Sequence, residues 1–468
     1  MVTTSELSPF FEPRSVAVIG SLNEAFGLGY VAAKNLLQFG YQGRVYPVNP
    51  AYGDVHGMKT YAEVGDIAEP VDTAILMTPP ETVARIVSQC AASGVKTAVV
   101  VSDGFAEAGE QGARLQRELV DISRDKGIRI IGPNTIGLLN TANGYLTVPY
   151  TIAYERVRKG GIAFCSQSGF VGPTAQPLQD RALPISKTCD LGNKCDVDEA
   201  ELLGYLADDP ETRVVAMHLE DVRDGRRFME AARRLAARKP LFVLKPGRST
   251  EGARASASHT HSLAGDEQVY GSALRQAGAI RVSGWHEFWE LPKILAYQPP
   301  PGGNRIGIIT HTGGAGVVAV DAAVDAGLAM ARFSNVTNER LSALYPRLPG
   351  NPVDMGPALS VVKEPFYVQE EALVAVLEDP GVDCAAIAVY HGFDFLLPIY
   401  REMFGRLKER TSKPMAIWAY GMQLPVMEEM ARQFEEMGLP TYFDFETAIK
   451  ALGAAARYAA IRDALQGD

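Results

Sequence analysis

The chain has 468 residues, a formal net charge of −10 and 47% hydrophobic residues, as expected of a folded soluble protein with more than one hydrophobic core. The acidic balance disfavours general binding to nucleic acids or to membrane surfaces. No apolar run is long enough to span a bilayer and no secretory signal pattern is present, so we expect a cytoplasmic protein. Because the five cysteines form no CxxC pair, we expect neither a disulfide framework nor a zinc site.

Short apolar strands alternate with helical segments in the first part of the chain. The segment ETVARIVSQCAASG (81–94) has helical apolar spacing and a terminal glycine. The segments with strand composition are SVAVIG (15–20), RVYPVNP (44–50), DTAILM (72–77), KTAVVV (96–101) and IRIIG (128–132). This alternation predicts a parallel sheet covered by helices.

A glycine-containing loop follows the first strand and leads into a helix. Gly20, Gly27 and Gly29 surround this loop, which predicts a phosphate-binding turn, although the spacing is not GxGxxG. The second strand ends at Val48 and Asn49, where a site for NAD usually has an acidic residue for the ribose 2′-hydroxyl. Two interpretations are open: a dinucleotide-type fold that has lost its site, or a site for another phosphorylated adenosine ligand such as coenzyme A.

The strand-and-turn pattern restarts twice, at GGIAFCSQSG (160–169) and, after the Pro/Gly linker at 298–303, at NRIGIITHTGG (304–314). The two copies align without gaps, so that Ser166, Ser168, Gly169 and Gly172 match Thr310, Thr312, Gly313 and Gly316. In each copy a hydroxyl-x-hydroxyl-Gly turn precedes a helix start, where free N–H groups and small residues admit an anion. The turns therefore indicate either phosphate binding or ordinary helix capping.

The segment EGARASASHTHSLAG (251–265) holds two of the seven histidines, His259 and His261. Its residues are small, and only Leu263 is bulky and apolar, so we expect a mobile loop and not a core helix. A histidine there is either a functional group carried by a moving loop or an ordinary surface residue.

Several motifs, in chain order, resemble the NDP-forming acyl-CoA synthetases, which are relatives of succinyl-CoA synthetase. The motifs are SVAVIGS (15–21), VYPVNP (45–50), SDGFAEAGEQG (102–112), GIRIIGPNTIGLLNT (127–141), SQSGFVG (166–172), LGNKCDVDEAELLGYLADDPET (191–212), LKPGRSTEGARASASHTHSLAG (244–265) and NPVD (351–354). The resemblance covers essentially the whole chain. It implies an α/β protein with a Rossmann-like CoA-binding domain (1–147) followed by two flavodoxin-like succinyl-CoA-ligase-type domains (148–298 and 302–468). Because the sequence has no visible ATP-grasp segment, the chain resembles a stand-alone α subunit.

The same resemblance implies roles for individual residues. The histidine of the family's SHTG motif falls on His259, which would become phosphorylated and move between two sites, and the glutamate that hydrogen-bonds it falls on Glu220. The residues that would cradle the phosphohistidine are Ser166, Gln167, Ser168, Gly169, Thr312, Gly313 and Gly314. The residues that would contact CoA are Gly20, Ser21, Gly27, Gly29, Val48, Asn49, Pro79, Ser102, Asp103, Asn134 and Thr135.

The implied reaction is reversible and ADP-forming. ATP and Mg²⁺ bind a partner ATP-grasp β subunit, His259 receives the phosphoryl group and passes it to a carboxylic acid, and the CoA thiol then displaces phosphate; no metal binds this chain. The implied assembly is a hetero-oligomer such as α2β2. The sequence departs from the family at His261, usually Gly, and at Thr135, often Cys. Two alternatives are a catalytically silent CoA-binding regulatory protein and a nicotinamide oxidoreductase, the latter opposed by the missing acidic residue after the second strand.

Overall fold

The computed structural model describes residues 4–150, 157–169, 183–260, 266–393 and 395–467, without the side chains of residues 4, 5 and 256–260. The chain divides into two compact units, Met1–Val282 and Ser283–Asp468. Within the described ranges, no helix is both long and apolar enough to cross a lipid bilayer.

The first unit begins with a five-stranded parallel sheet. Its strands are β1 (Ser15–Gly20), β2 (Arg44–Val48), β5 (Thr73–Met77), β6 (Thr97–Val100) and β7 (Arg129–Ile131), in the order β2-β1-β5-β6-β7. The accompanying elements are a small hairpin, β3 (Asp54–Val55) and β4 (Met58–Lys59), and the helices α1 (Thr4–Phe11), α2 (Leu28–Gln38), α3 (Pro80–Ala92) and α4 (Glu110–Lys126). Strands β1 and β5 are buried along their whole length, which explains why their sequences are continuous apolar runs and do not alternate.

The rest of the first unit forms a seven-stranded sheet. Its strands are β8 (Leu138–Asn140), β9 (Tyr145–Leu146), β10 (Val157–Ser166), β11 (Leu183–Asp190), β12 (Val214–His218), β13 (Leu241–Leu244) and β14 (Ile280–Val282). Their order is β14-β13-β12-β10-β11-β8-β9, with β10 to β14 parallel and β8 antiparallel to both of its neighbours. The helices are α5 (Glu199–Asp208), α6 (Gly225–Ala236), α7 (Thr250–Thr260) and α8 (Glu267–Gln276).

Helix α7 corrects the expectation of a loop over residues 251–265. The loop prediction is wrong for residues 251–260, which are helical, and residues 261–265 lie outside the described part of the chain. The N–H of Gly252 donates to Ser249 Oγ over 3.0 Å, which satisfies a donor at the start of the helix. Alanines at 253, 255 and 257 favour the helix despite the absence of bulky apolar side chains.

The second unit contains a parallel sheet of its own. Its strands are β15 (Arg305–Thr310), β16 (Ala329–Met330), β17 (Val353–Asp354), β18 (Cys384–Tyr390), β19 (Met415–Tyr420) and β20 (Thr441–Tyr442), in the order β16-β15-β18-β19-β20, with β17 paired to β15. The helices are α9 (Trp285–Glu290), α10 (Pro292–Tyr297), α11 (Gly313–Asp325), α12 (Asn335–Leu344), α13 (Gly356–Leu359), α14 (Pro365–Glu378), α15 (Leu396–Arg410), α16 (Leu424–Glu436) and α17 (Phe445–Gly467).

Buried apolar side chains from strands and helices form the cores of both units. The architecture confirms the predicted α/β class with parallel sheets. It also determines where sites can lie, because the carboxyl ends of parallel strands and the loops that follow them meet at one edge of each sheet.

Candidate functional site

A cleft of about 500 Å³, here called the first cleft, lies at the carboxyl ends of β1, β2 and β5. Five of the residues predicted to contact CoA line it, namely Gly20, Ser21, Val48, Asn49 and Pro79. In open parallel sheets a crevice at this position commonly holds a nucleotide-type ligand. The structure therefore brings together the part of the predicted CoA site that follows these three strands.

Asn49 joins two of the strand ends in the first cleft. Its Nδ2 donates to the carbonyl of Gly20 over 2.8 Å, and its Oδ1 accepts from the N–H of Ala51 over 2.9 Å. Gly20 itself has no room for a side chain, because a Cβ there would lie 2.5 Å from the carbonyl oxygen of Met77. Asn49, which stands where an NAD site usually has an acidic residue, therefore holds the ends of β1 and β2 together.

Gly27 and Gly29 lie outside the lining of the first cleft. Gly27 is the N-cap of α2, and Gly29 is a buried residue of its first turn. A Cβ on Gly29 would lie 2.9 Å from the carbonyl oxygen of Ser21, and one on Gly27 would lie 2.5 Å from it. Packing of the loop against itself explains both glycines, independently of any ligand.

The remaining predicted CoA residues follow β6 and β7. The Ser102 hydroxyl donates to the carbonyl of Thr78 over 2.6 Å, and Asp103 is exposed. Asn134, exposed and at φ 58°, donates its N–H to the carbonyl of Ser102 over 2.8 Å. Thr135 is buried, and its hydroxyl donates to the carbonyl of Asp190 over 2.5 Å. Its side chain therefore ties the turn to the end of β11.

A second cleft of about 500 Å³ lies elsewhere in the first unit. It brings together one predicted residue of each kind: Asn134 for CoA, Gln167 for phosphate and Glu220 for catalysis. Side chains that the sequence analysis did not single out also line it, among them Glu107, Asn193, Lys194 and Asp221. The second cleft is polar, and it combines amide, carboxylate and ammonium groups.

Gln167 uses both ends of its amide on the segment that carries Glu220. Its Oε1 accepts from the N–H of Glu220 in a close contact and from the N–H of Asp221 over 2.9 Å. Its Nε2 donates to Asp221 Oδ1 over 2.8 Å and to the Asp221 carbonyl over 3.2 Å. Gln167 therefore fixes the backbone at Glu220 directly after strand β12.

Asn193 anchors the loop that contains Asp103. Its Nδ2 donates to Glu107 in a close contact and to Gln116 Oε1 over 2.9 Å. The Glu107 carboxylate in turn accepts from the N–H groups of Gly104 and Phe105, at 2.7 and 3.0 Å. The LGNKCD motif (191–196) formed part of the family resemblance, but no role was predicted for Asn193 or Lys194.

Asp190 is a buried acid beneath the turn that carries Asn134. Burial raises the pKa of Asp190 to about 6, although the N–H groups of Ile136 and Gly192 donate to its carboxylate and favour the charged form. Sequence reasoning missed this residue because the burial that shifts its pKa arises only in the folded chain.

The two hydroxyl-x-hydroxyl turns have the same internal hydrogen bond. Ser166 Oγ accepts from the N–H of Ser168 over 2.8 Å, and Thr310 Oγ1 accepts from the N–H of Thr312 over 3.3 Å. In the second unit the Thr312 hydroxyl also caps α11 by accepting from the N–H of Ala315 over 3.2 Å, so that Gly313 and Gly314 are the exposed first residues of that helix. In the first unit, the residues directly after Gly169 lie outside the described part of the chain.

His259 belongs to the last turn of α7, and its side chain lies outside the described part of the structure, as does His261 altogether. Glu220 comes after β12 and is partly buried at the second cleft. A contact between Glu220 and His259 therefore stays a prediction.

Comparison with known proteins gives matches along most of the chain. Residues 14–141 match the CoA binding domain family, and residues 159–295 match the succinyl-CoA ligase like flavodoxin domain family. The α subunit of ADP-forming acetate–CoA ligase II from Pyrococcus furiosus is 37% identical, over 98% of this chain and 98% of that protein. ADP-forming acetate–CoA ligase II from Archaeoglobus fulgidus is 36% identical, over 98% of this chain and 68% of that protein.

A solved structure gives the same result over both units. The dinucleotide-forming acetyl-coenzyme A synthetase 1 of Candidatus Korarchaeum cryptofilum, in complex with phosphate and ADP, matches with a TM-score of 0.88 and 30% identity, covering 98% of each chain. The similarities extend over almost the full length of both this chain and the archaeal α subunit. The chain therefore belongs to the α subunits of the ADP-forming acyl-CoA synthetases, a family of acid–thiol ligases.

Proposed function

We propose that this chain is the CoA- and acid-handling subunit of a reversible ligase that makes acyl-CoA from a short carboxylic acid, with His259 as phosphoryl carrier and Glu220 as its hydrogen-bond partner. The observation that carries the proposal is the second cleft, where Glu220, Gln167 and Asn134 lie together although they are far apart in sequence. The family resemblance implies a different role for each of the three, namely catalysis, phosphate binding and CoA binding, and a reaction among an acid, a phosphoryl group and CoA requires such groups at one place.

The proposed chemistry uses groups of this chain in two roles. A neutral imidazole of His259 attacks the γ-phosphorus of ATP while the bond to the ADP oxygen breaks, and the phosphoryl group then passes from nitrogen to a carboxylate oxygen. The CoA thiolate next attacks the acyl carbon and phosphate leaves. A hydrogen bond from one ring nitrogen of His259 to the Glu220 carboxylate would leave the other nitrogen free to attack.

The acid proposed as substrate is short and polar at its reacting end. The second cleft is lined by the amide groups of Gln116, Asn134, Gln167 and Asn193 and by carboxylates, and Ala106 is its one lining residue with an apolar side chain. The relatives from Pyrococcus furiosus and Archaeoglobus fulgidus are named for acetate. We therefore propose acetate or an acid close to it.

CoA is proposed to place its adenosine end in the first cleft and to reach toward the loops at Asp103 and Asn134. ATP and Mg²⁺ are assigned to a separate ATP-grasp subunit, in a hetero-oligomer such as α2β2. The proposed domain limits are 1–147, 148–298 and 302–468. In this arrangement the chain requires its partner for ATP-dependent turnover.

The test uses the chain co-purified with an ATP-grasp β subunit. ADP release that depends on CoA is measured with acetate, propionate, octanoate and benzoate, and binding of CoA to the chain alone is measured by calorimetry. We expect turnover with acetate, no turnover by the chain alone and none with His259→Ala. Binding of CoA with no phosphorylated His259 under any of these conditions would favour the regulatory alternative and would contradict the proposed ligase.

A further inference from the structure

Lys194 lies at the second cleft in an environment unusual for a lysine. It is 3% exposed, and its backbone has a φ of 53°, in the left-handed region that non-glycine residues rarely adopt. Asparagine or glycine would fit that backbone with less strain. A lysine at this position therefore indicates a need for its side chain.

The ammonium group of Lys194 is surrounded by oxygens of the protein. Its Nζ lies 2.5 Å from Asp221 Oδ1, 3.2 Å from the Asp221 carbonyl and 3.1 Å from Glu199 Oε2. Glu199 is 1% exposed, so the ion pair is sheltered from water. Two of these contacts are hydrogen bonds to Asp221, and the contact with Glu199 is an ion pair; with its side chain buried, Lys194 is placed to hold these carboxylates and not to bind a phosphate from the cleft.

Lys194 is connected to Glu220 through the side chains of Asp221 and Gln167. Asp221 Oδ1 is held by Lys194 on one side and by Gln167 Nε2 on the other. The same Gln167 amide accepts from the backbone N–H groups of Glu220 and Asp221. The position of Glu220 thus depends on a network to which the Lys194 ammonium supplies positive charge.

We propose that Lys194 is a positioning residue, which holds Glu220 in place through Asp221 and Gln167 without touching a substrate. The inference rests on the proposed function, since it assumes that Glu220 orients His259 for phosphoryl transfer. Removal of the ammonium would take away the cation that contacts both Asp221 and Glu199, while Lys245, which interacts with Asp221 and Glu220, and Arg223, whose N–H donates to Glu199, would remain. The smaller positive charge would favour the protonated forms of carboxylates near the cleft. Phosphorylation would then be slower and would require a higher pH.

A second buried ion pair provides a matched control. Lys187 Nζ lies 2.7 Å from Asp209 Oδ2, and both side chains are no more than 2% exposed. Lys187 lies within β11, a few residues before Lys194, but it is not part of the second cleft. Lys187→Met and Lys194→Met therefore both remove a buried ammonium, and only Lys194→Met disturbs the segment that carries Glu220.

The experiment compares the complexes of wild type, Lys194→Met, Lys194→Arg and Lys187→Met with the β subunit. The rate of phosphoenzyme formation from labelled ATP is measured from pH 5.5 to 8.5, with melting temperature and CoA affinity beside it. For Lys194→Met we expect a rate on the order of 10²-fold lower, an acid limb at higher pH and unchanged CoA affinity. Lys194→Arg should recover part of the rate, and Lys187→Met should lower only the melting temperature.

The possible results distinguish failure of the positioning role of Lys194 from failure of the proposed ligase function. If the wild-type complex forms no phosphoenzyme, the proposed function fails and the role of Lys194 fails with it. If the wild type is phosphorylated and Lys194→Met matches it in rate and pH profile, or if Lys187→Met loses as much rate, the positioning role alone is wrong. Should Lys194→Met not fold, Asp221→Asn replaces it, and a wild-type rate and pH profile in that variant would equally overturn the role.

Discussion

The turn 166–169 of the first unit and the turn 310–313 of the second share a backbone design but differ in their middle residue. In both, a strand ends at a hydroxyl that accepts from the N–H two residues later. Gln167 occupies the middle of the first turn, and His311 occupies the middle of the second. An amide carries no titrating proton, whereas an imidazole takes up a proton as the pH falls, so the two turns are anchored by groups with different responses to pH.

The two anchors also differ in what they hold. Gln167 bonds the segment after the neighbouring strand, including the N–H of Glu220. His311 Nδ1 lies 2.9 Å from the Tyr420 hydroxyl, and its Nε2 lies 3.2 Å from Gln369 Nε2. Because an amide nitrogen only donates, Nε2 must accept and the ring must be neutral. One duplicated turn therefore positions a group proposed for catalysis, whereas the other is bonded to side chains of its own unit.

The largest effect is expected for Gln167→Glu. A carboxylate at this position could still accept from the Glu220 N–H, but it no longer donates to Asp221, and its negative charge repels that carboxylate, so the segment at Glu220 and Asp221 shifts. We expect single-turnover phosphoenzyme formation to fall by about 10²-fold or more, as for loss of a positioned acid–base group. His311→Gln is the matched change in the second turn and should lower this rate by less than about tenfold. Equal losses in the two variants would mean that the turns do not differ in function.

The pH response of the second turn provides the next test. Burial lowers the pKa of His311 to about 4, only partly opposed by the Asp354 carboxylate, while an unfolded histidine titrates near 6.5. Since the unfolded chain binds the proton first, the stability from neutral His311 is complete above pH 6.5 and is lost as pH falls toward 4. At pH 5 the loss amounts to about 2 kcal/mol.

Hydrogen exchange of peptides covering residues 306–316 in the full chain measures this loss. Wild type should lose protection between pH 6.5 and 5, relative to His311→Gln, once intrinsic exchange rates are corrected. Protection that changes equally in the two proteins would show that His311 does not titrate as its surroundings require.

The smallest expected effects come from the hydroxyls that both turns share. Ser166→Ala removes an acceptor for the Ser168 N–H and a contact of 3.1 Å with His218 Nδ1, whereas Thr310→Val removes the acceptor for the Thr312 N–H and a bond to the Thr312 carbonyl. We expect each change to lower the free energy of unfolding by about 1–2 kcal/mol, with the larger value for Ser166, whose partner is a buried histidine. Denaturant titration that ranks Thr310→Val as more damaging would contradict the comparison.

Much of the fold was predictable because buried parallel strands leave a strong sequence signal. The runs at 15–20, 72–77 and 96–101 appear as β1, β5 and β6, and the glycine-terminated helix at 81–94 appears as α3. The segment at 251–260 was not predictable in the same way. Helical periodicity needs an apolar face, and α7 has none that the sequence reveals, so small residues suggested a loop.

Site residues that belong to a recognisable motif could be predicted from the sequence. Residues whose role depends on burial and on neighbouring charges could not. Glu220, Gln167 and Asn134 were singled out, and the structure places them at one cleft. Lys194 and Asp190 were missed, because an ion pair or a buried carboxyl depends on neighbours that come together only in the folded chain. For Gly29 the sequence predicted a CoA contact, but a side chain there would lie against the Ser21 carbonyl, so packing of the loop by itself explains the glycine.

In the proposed mechanism His259 carries a phosphoryl group, and its transfer depends on Glu220. The direct measurement is phosphopeptide mapping of the complex with its β subunit after brief incubation with labelled ATP, in wild type, His259→Ala and Glu220→Gln. We expect an acid-labile label on His259 in the wild type, no label in His259→Ala and a label on His259 that forms more slowly in Glu220→Gln. Label on His261, or label that persists in His259→Ala, would contradict the mechanism.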